Sequence, residues 1–124
     1  MMFSHQFHRC NAWVYPYEKP VLHEVLCSYE TEVCISAYIG DELHLWLRNG
    51  ATRLSRTTTR QICRYLGERA RGYNPHPYMP VNLIRRLIAG GPGSKCEYDS
   101  TVYVYRGSMF DYSDKALESS YNGR

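Results

Sequence analysis

The sequence predicts an α+β domain: a small, mainly antiparallel sheet of three N-terminal strands and one C-terminal strand, covered by two helices. Three observations carry that prediction. Apolar residues alternate on either side of Gly40-Asp41, at Val33, Ile35 and Ala37 and again at Leu43, Leu45 and Leu47. The period then lengthens to helical spacing at Ile62, Cys63, Leu66 and Ala70. It returns to strand-like sequence at Thr101-Val102-Tyr103-Val104-Tyr105.

Residues 1–20 mix aromatic with polar side chains, and Pro16 and Pro20 favour an extended segment leading to the first strand. Val21–Tyr29, rich in Val, Leu and Tyr, reads as that strand. Glu32–Ile39 and Glu42–Leu47 form a hairpin, because Gly takes the positive φ that a two-residue turn demands. In its second arm the leucines share one face and Glu42, His44 and Trp46 the other, so His44 reads as an outward strand residue and not as a base. Asn49-Gly50 marks a turn. Ser55 caps a helix running to about Arg71, with Gly72 at its C-terminus. Gly67 weakens that helix by about 1 kcal/mol relative to Ala, so packing must hold it. Asn74–Pro80, with three prolines, is a rigid loop. Pro80 opens a second helix, Val81–Ala89, and Gly90-Gly91-Pro92-Gly93 ends it. From Ser108 the sequence is polar, with a weak helical pattern over Tyr112–Ser120. The expected organisation is an extended segment over 1–20, a single domain over 21–107 and a polar tail over 108–124.

With 124 residues, 44% of them hydrophobic and 22% charged, the chain is one folded domain and not a disordered segment. No apolar run approaches the ~20 residues of a membrane helix. Met1–Cys10 has no apolar h-region, so a secretory signal is not expected there. Five cysteines cannot all pair, and no C-x-x-C occurs, which points to free thiols in a reducing cytoplasm. Cys27, Cys34 and Cys63 sit in apolar patterns and read as small core residues. His5, His8 and Cys10 match no zinc spacing, so neither a metal nor a cofactor is expected.

The net charge of +3 hides an asymmetry. Residues 48–86 hold nine arginines and one acid, a charge of +8, whereas the remainder holds six bases and eleven acids, a charge of −5. Arg56, Arg60 and Arg64 step by four along one helix side, with Arg71 near the same line; Arg53, Arg85 and Arg86 lie in the same segment. Arginine presents a planar fork of donors that suits phosphates and carboxylates alike. Two readings stand: a basic face for a phosphate backbone or an acidic protein surface, or arginines solvated or paired internally with Glu24, Glu30, Glu32 and Glu42.

Tyrosine is the second binding feature. Tyr103 and Tyr105 share one strand face, and if Val102 and Val104 face the core they are exposed and free to stack on bases or anchor a protein; otherwise they cover the sheet's second face. Tyr15, Tyr17, Tyr73 and Tyr78 neighbour prolines, which suits either surface contacts or packing of loops. No catalytic frame is present: no G-x-S-x-G, no P-loop and no H-E-x-x-H. Ser55, Thr57, Thr58 and Thr59 can bind an anion at a helix start, but capping explains the first hydroxyl equally well.

Ser28-Tyr29-Glu30-Thr31-Glu32-Val33, the hairpin, and Ser55-Arg56-Thr57-Thr58-Thr59-Arg60-Gln61-Ile62-Cys63-Arg64-Tyr65-Leu66 together resemble a family of small uncharacterised bacteriophage and prophage proteins. Its members carry an S-Y-x-T-x-V-like strand, a short hairpin and S-x-T-T-x-x-H-[IL] leading into a helix. The resemblance covers about residues 21–90; Gln61, or Arg60 in a shifted register, stands where members often carry His, so no role for that His carries over. The resemblance implies a phage setting, in which small proteins inhibit host defence or modify host machinery, mostly by binding, as anti-CRISPR proteins do. The expectation is therefore a non-enzymatic, anti-CRISPR-like inhibitor in the bacterial cytoplasm. It would bind a host protein or protein–nucleic-acid complex through the arginines and loop aromatics, without a membrane. Direct binding of DNA or RNA is the alternative, and a small hydrolase the second, since catalytic residues need not be close in sequence.

Overall fold

Strand pairing begins before the first proline. In the computed structural model, which describes residues 4–7, 11–48, 55–70 and 78–122, β1 (His5–Gln6) pairs antiparallel with β2 (Ala12–Tyr17). Ala12 and Val14 point inward from β2, and Trp13, Tyr15 and Tyr17 point to the other face. β3 (His23–Ser28), β4 (Thr31–Ile39) and β5 (Glu42–Leu47) continue the antiparallel meander. The predicted hairpin forms at Gly40, whose φ is 65°. The two-residue turn between β3 and β4 instead places Tyr29 at φ 56°.

After β5 the chain crosses over through α1 (Arg56–Arg69) and α2 (Val81–Gly90). It returns as the hairpin of β6 (Lys95–Tyr98) and β7 (Thr101–Ser108). β7 lies parallel beside β5, with Leu43 opposite Tyr103 and Leu45 opposite Tyr105. A parallel neighbour needs a long crossover, and the two helices supply it. The sheet order is β1-β2-β3-β4-β5-β7-β6. A 3-10 turn at Met109–Asp111 leads into α3 (Asp114–Asn122). No helix among the described residues is long and apolar enough to cross a membrane.

The centre of this sheet is covered on both faces. On the first, Leu43, Leu45, Leu47, Tyr103 and Tyr105 meet Ile62, Cys63 and Leu66 of α1 and Ile84 and Leu87 of α2. On the second, Val25, Ile35, Ala37, Ile39 and Trp46 meet Leu117 of α3. Tyr112 closes edge-on against Trp46, with ring centroids 5.1 Å apart.

The α+β class stands, but the described residues form seven strands and three helices where four and two were expected. β2 was hidden by Pro16, which is tolerated because β1 pairs only as far as Val14 and leaves the outer side of Pro16 unpaired. β6 is only four residues long and follows a glycine-rich break. The sheet thus starts inside the segment expected as an N-terminal extension, and the tail beyond 107 contributes the fully buried Leu117. His44, expected to face outward, is buried because α3 and Arg106 cover its face. α1 ends at Arg69, with Ala70 extended, earlier than the predicted end near Arg71. Gly72, Asn49-Gly50 and most of the proline loop lie outside the described residues.

Leu117 is the one fully buried residue of α3. Leu117→Ala is expected to lower unfolding stability by about 2–5 kcal/mol, as truncation of a well-packed leucine does, read from urea denaturation.

Candidate functional site

The arginine face is aimed by what lies beneath it. Beside the apolar residues that α1 packs on the sheet runs a polar stripe: Thr58, Gln61, Tyr65 and Arg69, spaced by three and four. At the helix start Ser55 caps the Thr58 backbone N–H at 3.1 Å, and its hydroxyl donates to Thr58 Oγ1 at 3.0 Å. Ser28 Oγ donates to Gln61 Oε1 at 2.6 Å, which leaves it to accept from Thr58 at 3.3 Å. About two turns beyond Gln61, Arg69 Nε donates to Ser36 Oγ at 3.1 Å. Tyr65 Oη donates to Glu24 Oε1 at 2.7 Å, so the 2.7 Å contact between Ser36 and Tyr65 has serine as donor. Arg69 Nε closes the ring 3.5 Å from Glu24 Oε1. Tyr103 Oη donates to the Leu66 carbonyl at 2.9 Å and Tyr38 Oη to the Arg69 carbonyl, which satisfies two acceptors that the helix end leaves over.

With that side fixed, Arg56, Arg60 and Arg64 face away from the sheet at about 6 Å per step along the axis. Tyr78 lies beside them, its ring centroid 5.1 Å from the Arg64 guanidinium carbon and 6.0 Å from that of Arg60. Arg64 Nη1 donates to Tyr78 Oη at 3.3 Å and Nε to Glu68 Oε1 at 3.2 Å. These two bonds, Tyr78 first, hold Arg64 above the ordinary arginine value. Arg85 and Arg86 are exposed on α2. Among the described residues Arg56, Arg60, Arg85 and Arg86 make no ion pair. The first turn of α1 also carries no acid, so the positive end of the helix adds to the charge of Arg56.

The other predicted contacts separate. Tyr103 and Tyr105 are not on the surface; they are 0% and 5% exposed, because β7 is an interior strand whose tyrosine face meets the helices. Arg53, Arg71 and Tyr73 lie outside the described residues, as do His8 and Cys10. Of the acids expected as internal partners, only Glu24 pairs with an arginine among the described residues, Arg69, while Arg64 pairs with Glu68 on its own helix; Glu42 is taken by Lys95 at 2.7 Å, and Arg48 reaches the backbone carbonyl of Glu32 at 3.3 Å. Cys34 and Cys63 are core residues as expected, and burial pushes their thiols up to about 12 and about 11, away from nucleophilic character. Cys27 is only half-buried.

Two features were missed. Ser28, Ser36, Glu24, Gln61 and Tyr65 form the seam under α1, and a polar helix stripe reads as solvent-facing unless its partners are known. Trp13, Tyr15 and Tyr17 stand exposed on one face of β2. Their alternation with Ala12 and Val14 was the available signal, masked by Pro16. A concavity of about 360 Å³ is lined by His5, Phe7, Glu24, Tyr65 and Arg69, and there Tyr65 and Arg69 both reach Glu24.

Tyr65→Phe removes the central link of the seam and is expected to cost about 1–3 kcal/mol at neutral pH. Burial pushes the Tyr65 phenol well above its ordinary value of 10.0. The unfolded chain therefore ionises first, and the associated stability is fully present below pH 10.0 and declines as pH rises past it. Chemical denaturation across the alkaline range should show this decline, with a shallower slope in Tyr65→Phe. Compared with protein-family models, with curated proteins and with solved structures, the chain matches none.

Proposed function

We propose that this protein is a non-enzymatic binding protein of bacteriophage type that inhibits host machinery by laying its α1 arginine row on an acidic surface. The partner is a host protein or protein–nucleic-acid complex, met in the bacterial cytoplasm. One observation carries the reading: Arg56, Arg60 and Arg64 line the exposed side of a helix whose opposite side is held by hydrogen bonds, and Tyr78 stacks beside two of them. A row of guanidinium groups on a helix whose rotation is fixed needs less ordering on binding and matches carboxylates or phosphates. Arg85 and Arg86 extend the positive field that steers an acidic partner. The host setting rests on the short sequence motifs alone.

Direct binding of DNA or RNA is the second reading. It is favoured by the acid-free first turn of α1, where Ser55, Thr57 and Thr59 hydroxyls sit beside Arg56.

Pull-down from a bacterial lysate, with and without nuclease, separates the two. For the first reading the captured partner persists after nuclease treatment. The triple variant Arg56→Glu, Arg60→Glu, Arg64→Glu should bind it at least about 100-fold more weakly by titration, with the fold retained by circular dichroism. Capture that survives charge reversal sinks the proposed surface. For the second reading, affinity for DNA or RNA should fall with salt at a log–log slope of about 0.7–0.9 per phosphate contacted. Absence of binding at low salt removes it.

A further inference from the structure

We infer that the turn between β3 and β4, together with the adjoining end of β2, is a receptor for an arginine side chain presented by a partner protein. Trp13 and Tyr29 line one concavity of about 530 Å³ there, with Asn11, Glu30 and Thr31. Both rings are offered to solvent, Trp13 at 40% and Tyr29 at 61% exposure, and neither belongs to the two core clusters. Core packing therefore gives no reason for either. Tyr29 also occupies a left-handed turn position, φ 56°, where Gly or Asn is the cheaper residue. Its N–H donates to the Asn11 carbonyl, which ties the turn to the start of β2 and holds the two aromatic walls in register.

Charge decides what fits between them. Among the described residues of the lining, Glu30 is the charged group and no basic side chain joins it. Glu32 lies across from Cys27, which pairs with Trp13, so a second carboxylate borders the same row. Burial, and then the Glu32 charge, push the neighbouring Cys27 thiol up. Neither glutamate makes an ion pair among the described residues. Carboxylates beside exposed π-faces repel phosphate and attract cations. Among cationic side chains, the planar guanidinium alone stacks flat on an indole while forking to a carboxylate. The protein's own row at Arg56, Arg60 and Arg64 belongs to the helix on the other face of the sheet, and Arg48, which reaches the Glu32 carbonyl, is not in the lining; among the described residues no arginine occupies the concavity, which is assigned to one from another molecule. This surface is separate from the α1 row and stands or falls independently of it.

The full-length protein is titrated with an acetylated, amidated Ala-Arg-Ala peptide and with its lysine and citrulline counterparts, following the two indole N–H resonances. Trp46, buried under α3, serves as the internal control. The arginine peptide should give a saturable shift at Trp13 and not at Trp46. The lysine peptide should bind several-fold more weakly, and the neutral citrulline peptide not measurably. Glu30→Gln should weaken binding about tenfold. Tyr29→Gly relieves the left-handed position and so keeps the fold, yet should also weaken binding. The triple α1 variant should leave it unchanged. An equal response to citrulline, or no saturable shift with arginine, overturns the proposal. So does self-association of the protein abolished by Trp13→Ala, which would assign the concavity to the arginine row of a second copy.

Discussion

The polar seam between α1 and the sheet is the constraint on which the arrangement rests. A helix normally seats itself by an apolar stripe, which tolerates sliding and small rotations because dispersion is non-directional. Here the central stripe is Thr58, Gln61, Tyr65 and Arg69, flanked by Ile62 and Leu66. Its polar groups share three partners on the sheet: Ser28 serves Thr58 and Gln61, while Ser36 and Glu24 each serve Tyr65 and Arg69. Turning α1 by one residue would move each group about 100° from its partner and bury several polar atoms unpaired. The seam thus specifies the rotation of the helix as well as its place. The fate of each arginine follows from that rotation: Arg64 faces solvent and Tyr78, whereas Arg69, five residues on, is drawn into the seam beside Glu24.

The same geometry explains how much was legible in the sequence. The Gly40-Asp41 hairpin, the Ser55 cap and the span of α2 were written in local chemistry, where a turn glycine, a capping hydroxyl or an apolar period is sufficient. The arginine row was legible for the same reason, since a step of four needs only the helix to place it. What escaped depends on partners distant in sequence. Tyr103 and Tyr105 alternate like exposed residues, yet β7 lies between β5 and β6 and under two helices. His44 turned inward because α3, a weakly patterned segment, folds back over it with Leu117. Arg69 is chemically indistinguishable from Arg64 in the sequence; only Ser36 and Glu24 tell them apart. β2 is an intermediate case, its alternation present but interrupted by a proline that an edge can accept.

The uneven charge along the chain acquires a spatial meaning from these placements. The positive stretch is concentrated on the outer side of α1 and on α2, above the first face of the sheet. Glu30 and Glu32, by contrast, stand at the turn beside Trp13, toward the second face. A small positive net charge is thus compatible with two surfaces of opposite sign separated by the thickness of the sheet. Such a molecule orients in the field of a partner before contact, and each surface excludes ligands that the other attracts.

The parallel pairing of β5 with β7 also bears on how the chain is made. β1 to β5 are joined by short connections and can pair as soon as they are synthesised, whereas β7 begins at Thr101, after both crossover helices and the β6 hairpin arm. Until then Glu42–Leu47 is an open sheet edge with a row of unpaired backbone groups, and its leucines lack the helices that cover them. The nascent N-terminal half is therefore sticky for as long as translation of the second half lasts, and the slow, non-local step of maturation is the insertion of β7 between β5 and its own hairpin partner β6.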